Sequence, residues 1–170
     1  DFAVALLDIT SDIGIPTYLA VLADRRDPVG HPGLGSACHP NAATALLKAL
    51  LEAVQVRTSY IAGARDDLDP AEFGVAGRRA KLRWVEPLLR AASAEDMPLR
   101  REAVPDDAAR QVELLLERLA ARGMPQAIAV DLDQPETGLS VVRVVVPGLE
   151  GCADDPGYAP GSRALAARAA

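Results

Sequence analysis

An uninterrupted helix-forming stretch constrains the fold of this chain more than any other feature. Residues 42–56 contain no glycine or proline, and they are dominated by alanine and leucine, which favour helices. Asn41 directly precedes them and is a predicted N-cap. Apolar residues recur at helical spacing, at Ala42, Ala45, Leu46, Ala49 and Ala53. The stretch therefore predicts a long helix that packs by one apolar face.

One side of this helix carries a row of polar residues. Lys48 and Glu52 are four residues apart and Glu52 and Gln55 are three apart, so all three lie along the same side. A cation, a carboxylate and an amide so arranged can hold a phosphate and its magnesium ion, which is commonly bound through one or two carboxylates. The alternative is a solvated polar face with one ion pair. Spacing alone leaves both interpretations open.

Composition indicates an ordinary globular protein. At 170 residues the chain is long enough to bury a core, and 49% of its residues are apolar. The net charge of −6 argues against a broad nucleic-acid surface, and no apolar run has the length of a membrane span. Cys38 and Cys152 show no metal-ligand spacing, so we expect reduced thiols in a cytoplasmic protein.

Two apolar runs before the helix predict a β-hairpin. Residues 2–9 and 15–23 are the predicted strands, and the residues between them have turn composition. We expect residues 24–39 to form a loop. Within it, Gly33 and Gly35 are candidates for close approach of the backbone to a ligand.

The later part of the chain predicts helices and a second pair of strands. Residues 69–92 favour helix in broken pieces, and residues 105–122 an amphipathic helix. A basic cluster in the first of these, typical of a solvated face, contains Arg78, Arg79, Lys81 and Arg83. Residues 126–132 and 139–146 are predicted strands. The predicted fold class is α+β, with a mixed or antiparallel sheet and two main helices packed on it.

The sequence also supports predictions about the domain bounds and the two ends of the chain. Residues 1–163 form one predicted domain, and residues 164–170 a tail that is either disordered or a short terminal helix. The chain begins without Met and inside a predicted strand. We therefore expect a fragment that lacks an N-terminal half.

Three motifs in order resemble the C-terminal half of YcaO-domain proteins. Residues 35–40 fit the pattern G-x-x-x-H-P, residues 45–57 fit A-L-x-x-A-L-x-E-x-x-Q-x-R, and residues 63–67 fit G-x-R-D-D. The segments DITSDIGIPTYLAVLAD before them and SVVRVVVPGLEG after them are also similar to that family. The resemblance covers nearly the whole chain apart from a variable middle, and ordered motifs are more specific than any one of them.

The resemblance implies ATP-dependent modification of a peptide backbone. In such chemistry a nucleophile adds to an amide carbonyl, ATP phosphorylates the resulting oxyanion, and loss of phosphate gives an azoline or a thioamide. An amide oxygen leaves poorly, whereas phosphate leaves readily. The implied cofactors are ATP and Mg²⁺, and the implied substrate is a peptide or protein. The protein's part is to position the reactants and to neutralise phosphate charge.

The same resemblance implies a set of site residues. The implied ATP-binding residues are Lys48, Glu52, Gln55, Arg57, Arg65, Arg143 and Glu150, and the implied metal ligands are Glu52 and Glu150. Arg57 and Arg65 are candidates for phosphate contacts because a guanidinium fork suits phosphate oxygens. Arg143 interrupts an apolar strand, where a charge is costly to bury unless paired. An exposed position at a sheet edge is the alternative for Arg143.

Two departures from the family pattern keep a second interpretation open. The motif S-x-x-x-E-x-x-E-R of the family's first half is not in this sequence, and the proline-rich end typical of azoline-forming members is missing too. The ending is more similar to members that act with a TfuA partner in thioamide formation. We expect this chain alone to be inactive. The alternative is a non-catalytic remnant that binds a peptide or partner, and uncovered apolar strands favour a homo-oligomer.

Overall fold

The structure is a computed structural model, and it describes residues 1–63, 65–91, 103–151 and 157–169. Contacts divide the chain into two units, Asp1–Asp106 and Asp107–Ala170, each with its own elements. The single domain expected over residues 1–163 stays a prediction. Among the described helices, none has both the length and the apolarity that crossing a bilayer requires.

The first unit contains a three-stranded antiparallel sheet in chain order. Its strands are β1 (Phe2–Asp8), β2 (Thr17–Asp24) and β3 (Gly33–Cys38), and β2 pairs with both neighbours. The predicted hairpin is therefore confirmed by β1 and β2. The loop predicted over residues 24–39 is wrong in its second part, because six of those residues form β3.

The predicted long helix is α1 (Ala42–Ala62). Its predicted N-cap is confirmed, since the Asn41 side chain accepts a hydrogen bond from Thr44 N–H at 3.0 Å. At the other end Gly63 adopts the left-handed conformation, with φ at 59°, and terminates the helix. The predicted apolar face is confirmed by the buried residues of α1, which are Ala42, Ala45, Ala49 and Ala53. They pack on side chains of β2.

Two glycines of β3 allow α1 to approach the sheet closely. A Cβ atom on Gly33 would lie 2.0 Å from the Ala53 carbonyl oxygen, and one on Gly35 would lie 2.2 Å from the Ala49 carbonyl oxygen. Both distances are far below van der Waals contact, so only glycine fits there. The close backbone approach expected for these glycines is made to α1 rather than to a ligand.

A second helix covers the other face of the sheet. It is α2 (Val75–Ala91), and it follows a 3₁₀ turn at Pro70–Phe73. Val85 of α2 is fully buried against the sheet. Side chains that alternate along β2 pack on α1 and on α2. The broken pieces predicted over residues 69–92 are thus one short turn and one continuous helix, which includes Pro87.

In its described residues, the second unit contains two α-helices, a 3₁₀ turn at Pro135–Thr137 and a two-stranded antiparallel sheet. Its elements are α3 (Ala108–Ala120), β4 (Ile128–Asp131), β5 (Val142–Val145) and α4 (Ser162–Ala169). The Asp107 side chain caps α3 by accepting a hydrogen bond from Arg110 N–H at 3.1 Å. All residues of β4 and β5 are exposed. Helices and antiparallel sheets in both units confirm the predicted α+β class.

Candidate functional site

The polar row of α1 is exposed along one side of the helix. The side chains of Lys48, Glu52 and Gln55 all face solvent, and helical geometry keeps them on one surface of the first unit. Within the described part of the chain, the Lys48 and Gln55 side chains have no hydrogen-bond partner. Three of the predicted ATP-site residues are therefore together and accessible.

Strand β3 anchors one oxygen of Glu52. The Oε2 atom accepts a hydrogen bond from Ser36 N–H at 2.6 Å, and β3 lies at an edge of the three-stranded sheet. The other oxygen, Oε1, accepts no hydrogen bond from the residues that the structure describes. A short hydrogen bond to a charged acceptor is stronger than a hydrogen bond to a neutral acceptor. The anchor therefore orients the carboxylate and leaves one oxygen available beside solvent.

The exposed Glu52 carboxylate is the type of ligand that magnesium prefers. Mg²⁺ takes oxygen ligands and is commonly held by one or two carboxylates, with substrate phosphates and waters completing the shell. Over the described ranges, no group of three or more histidine, cysteine or acidic side chains is placed to hold a metal ion. Within the first unit, Glu52 would thus act as a carboxylate ligand that needs the nucleotide's phosphates beside it.

Arg57 points into the first unit instead of along the polar row. Its Nη1 donates to the His31 carbonyl oxygen at 2.7 Å, and its Nη2 donates to Asp24 Oδ2 at 3.0 Å. The guanidinium also lies over the Phe2 ring, 5.5 Å from the centroid. The Arg57 side chain is 11% exposed and that of Asp24 is 19% exposed. The phosphate contact of Arg57 stays a prediction, and the observed contacts hold α1 to the sheet.

Arg65 lies beyond the end of α1 and is exposed. Its Nε and Nη2 donate to the two carboxylate oxygens of Asp67, at 2.9 and 2.5 Å. The hydrogen bonds from Arg65 lower the pKa of Asp67 below its ordinary value. Because an exposed ion pair contributes little stability, a phosphate can replace Asp67 at small cost. The predicted phosphate contact of Arg65 is compatible with this geometry and stays a prediction.

The last two predicted site residues belong to the second unit. Arg143 is exposed in β5, so no charge is buried in that apolar strand. Glu150 accepts hydrogen bonds from Gly161 N–H at 2.9 Å and from the Tyr158 hydroxyl at 3.0 Å. A longer bond of 3.3 Å comes from Ala164 N–H. Led by the bond from Gly161, these contacts lower the pKa of Glu150, and they place its carboxylate at the start of α4.

Sequence reasoning missed a partly buried cluster of aromatic and charged residues in the first unit. His31 is 7% exposed and stacks on Tyr60, with ring centroids 4.1 Å apart. The Tyr60 hydroxyl donates to Glu72 Oε2 at 2.7 Å, and Lys81 Nζ binds the same oxygen at 2.5 Å. Burial, followed by the charges of Lys81 and Arg78, lowers the pKa of His31. Lys81 is therefore half-buried in an ion pair rather than on the solvated face that the sequence predicts.

The first unit defines an α+β domain in which an anchored carboxylate lies on an exposed helix side. Residues 1–150 match the family model for YcaO cyclodehydratase, ATP- and Mg²⁺-binding. The chain belongs to the YcaO family. The resemblance carried by the three ordered motifs is thereby confirmed.

Two curated relatives align with most of this chain. An uncharacterized protein in the tfuA 3′ region of Rhizobium leguminosarum bv. trifolii is 38% identical over 155 residues. An uncharacterized protein of Methanothermobacter thermautotrophicus is 34% identical over 160 residues. The alignments cover 85% and 90% of this chain, but only 36% and 40% of the relatives. What a whole YcaO protein does is therefore a proposal for this chain.

Two solved structures share the fold. One, described as a heterocyclase in complex with substrate and cofactor, superposes with a TM-score of 0.65 at 22% identity over 87% of this chain. The other, the heterocyclase TruD, superposes with a TM-score of 0.60 at 25% identity over 86% of this chain. Each match covers 20% of the solved chain. Both confirm a YcaO-like α+β fold.

Proposed function

We propose that this chain is part of an ATP- and Mg²⁺-dependent enzyme that modifies the backbone of a peptide during its maturation. Membership of the YcaO family and the likeness to heterocyclase structures support this role. The observation that carries the proposal is the Glu52 carboxylate, which Ser36 N–H anchors while its other oxygen accepts no hydrogen bond from any described residue. Glu52 and Gln55, which fit the family motif, thus lie on a surface that a nucleotide can reach.

The residues of α1 would hold charge around a phosphoryl transfer. ATP supplies the phosphoryl group that turns an amide oxygen, a poor leaving group, into a phosphate that departs. Glu52 would bind the Mg²⁺ through its free oxygen, and Lys48 would neutralise a phosphate. Gln55 would bind the nucleotide through its side-chain amide. Because the Ser36 bond orients Glu52 beforehand, the carboxylate needs little reorganisation on binding.

Three further residues are proposed ligands, one in the first unit and two in the second. Arg65 and Arg143 are exposed, and their guanidinium groups suit phosphate oxygens. In the second unit, Glu150 would be a carboxylate ligand of a metal ion. It would have to give up hydrogen bonds from the start of α4 to do so, because Gly161 N–H and Ala164 N–H now bind its carboxylate.

We propose thioamide formation with a TfuA-like partner as the specialisation of this enzyme. The support is the relative encoded in a tfuA 3′ region, which is 38% identical to this chain. In this reaction an external sulfide adds to the amide carbonyl, the oxyanion is phosphorylated, and phosphate leaves with the original oxygen. Co-expression of the complete gene product with a TfuA-like protein and a peptide substrate tests it. The product mass should show oxygen replaced by sulfur, whereas loss of water would indicate an azoline.

Calorimetric titration of the complete gene product with ATP and Mg²⁺ tests the nucleotide site. We expect Glu52→Gln to weaken Mg²⁺-dependent ATP binding by at least about tenfold, because the amide lacks the charge that a hard cation prefers. Glu113→Gln is the matched control, since Glu113 is an exposed helical carboxylate of α3 and is not among the proposed ligands. That variant should bind like the wild type.

Either of two results would contradict the proposal. Equal affinity of Glu52→Gln and the wild type would remove Glu52 from the metal site. Failure of the wild-type complete gene product to bind ATP with Mg²⁺ would instead favour the non-catalytic binding domain.

A further inference from the structure

Arg57 links α1 to both ends of the connection between β2 and β3. Asp24, which accepts from Nη2, is the last residue of β2, and His31, whose carbonyl accepts from Nη1, lies shortly before β3. The Arg57 guanidinium therefore holds both ends of this connection close to α1. One side chain thus ties three parts of the first unit together.

This guanidinium is poorly placed to leave for a phosphate. The Arg57 and Asp24 side chains are 11% and 19% exposed, so water solvates neither group well. The other oxygen of Asp24, Oδ1, accepts a hydrogen bond from Arg26 N–H at 2.9 Å, which fixes the carboxylate in place. Moving Arg57 away would leave a poorly solvated carboxylate without its cation, which is unfavourable.

Arg57 and Glu52 fasten the same helix to the same strand region. Glu52 accepts from Ser36 N–H within β3, and Arg57 donates to the His31 carbonyl just before β3. Between these two points lies the close contact of Gly33 and Gly35 with α1, and a Cβ on Gly33 would be 3.2 Å from Arg57 Cβ. Two hydrogen-bonded points on either side of a tight contact fix both the rotation and the translation of the helix.

We infer that Arg57 is a positioning residue for Glu52 and makes no contact with a nucleotide phosphate. Its bonds to Asp24 and His31 hold α1 where the Glu52 carboxylate meets Ser36 N–H. This inference rests on the proposed function for the statement that Glu52 binds the metal. The placement of Glu52 by Arg57, however, can be tested with no nucleotide or metal present.

The first test is hydrogen exchange in the nucleotide-free complete gene product, measured by NMR. Arg57→Gln should raise the exchange rate of the Ser36 amide by about tenfold, because the helix that carries its acceptor is released. The Thr44 amide, which the Asn41 cap protects at the far end of α1, is the internal control and should keep its rate. An unchanged Ser36 rate in a folded variant would overturn the inference, whether or not the protein binds ATP.

The second test uses Asp24→Asn, a milder variant that weakens the same contact from the other side. For a positioning role, Arg57→Gln and Asp24→Asn should each weaken the apparent Mg²⁺ affinity at fixed ATP by about tenfold, and the double variant no further. For a phosphate ligand, Asp24→Asn would free the guanidinium and leave ATP affinity equal or higher. That second pattern would overturn the inference.

Arg57→Lys separates charge from geometry. Lysine keeps the positive charge but lacks the fork that reaches both Asp24 and the His31 carbonyl. We expect it to behave like Arg57→Gln in Mg²⁺ affinity. Retention of wild-type affinity by Arg57→Lys would overturn the positioning role, as would a lowered melting temperature with unchanged Mg²⁺ affinity.

Discussion

Glu52 in the first unit and Glu150 in the second are the two carboxylates proposed to bind magnesium, and their surroundings differ. Among the described residues, Glu52 accepts one hydrogen bond, from Ser36 N–H in a strand of the sheet on which α1 packs. Glu150 accepts bonds from Gly161, Tyr158 and Ala164, all in the segment that leads into α4. The first carboxylate is oriented with one oxygen free, whereas donors surround both oxygens of the second.

The difference indicates how each carboxylate can enter a metal site. A carboxylate anchored to a sheet is already in position, so binding at Glu52 requires little rearrangement. A carboxylate that caps a terminal helix must exchange donors for the cation, so binding at Glu150 requires the start of α4 to release it. Metal binding and the C-terminal helix are therefore expected to compete in the second unit and not in the first.

Substitution of Gly35 by Ala tests the sheet side of this comparison and has the largest expected effect. The new Cβ would lie 2.2 Å from the Ala49 carbonyl oxygen and 2.3 Å from Ala53 N. The helix must therefore move away from β3 and take Glu52 from Ser36. We expect the free energy of unfolding to fall by about 3 kcal/mol, measured by urea denaturation of the complete gene product.

Ser36→Ala is the matched control for this substitution. It changes the adjacent, exposed side chain and keeps the backbone N–H that Glu52 accepts from. Its free energy of unfolding should stay within about 0.5 kcal/mol of the wild type. If Gly35→Ala were equally mild, the tight packing of α1 on β3 would be disproved.

Addition of ATP and Mg²⁺ tests the other side of the comparison, with an intermediate expected effect. Binding of the cation by Glu150 would remove the acceptor of Gly161 N–H, so the exchange rate of that amide should rise several-fold. The Glu150→Gln variant gives the Gly161 exchange rate expected when the start of α4 has lost its charged acceptor. ATP without Mg²⁺ is the control. A Gly161 rate that does not respond to Mg²⁺ would contradict metal binding by Glu150.

The sequence predicts those parts of the fold that follow from local pattern. The helix α1, its Asn41 cap and its alanine face depend on spacing and residue type, and the structure has all three. Local pattern does not predict strand β3, because Gly33 and Gly35 are typical of a loop. Tertiary packing requires these glycines, since the backbone of α1, which is distant in sequence, packs on them.

The candidate site likewise has some features that local pattern predicts and others that only tertiary packing creates. Helical spacing is enough to place Lys48, Glu52 and Gln55 on one surface, as the structure shows. It does not reveal the anchor of Glu52, because the donor is a backbone N–H, which every residue except proline carries. Nor does it reveal that the Arg57 guanidinium faces Asp24, since these residues meet only after the strands and α1 have packed together.

Tyr158→Phe gives the smallest expected effect and tests how the second carboxylate is held. Gly161 N–H first, and then the Tyr158 hydroxyl, lower the pKa of Glu150 below its ordinary value of 4.5. Loss of the hydroxyl should raise that pKa part of the way back, as followed by NMR titration of the Glu150 side chain. The pKa of Asp67, set by Arg65 in the first unit, should not change.

The direction of the pH dependence follows from the lowered pKa. Since the carboxylate of Glu150 is more acidic in the folded protein than in the unfolded chain, its contribution to holding the start of α4 is present above pH 4.5 and is lost as the pH falls through the folded pKa. Tyr158→Phe should therefore lose protection of the Gly161 amide at a higher pH than the wild type. Identical pH profiles would mean that the Tyr158 hydroxyl does not bind Glu150 in solution, and the second carboxylate would then be held more nearly as Glu52 is, by backbone donors alone.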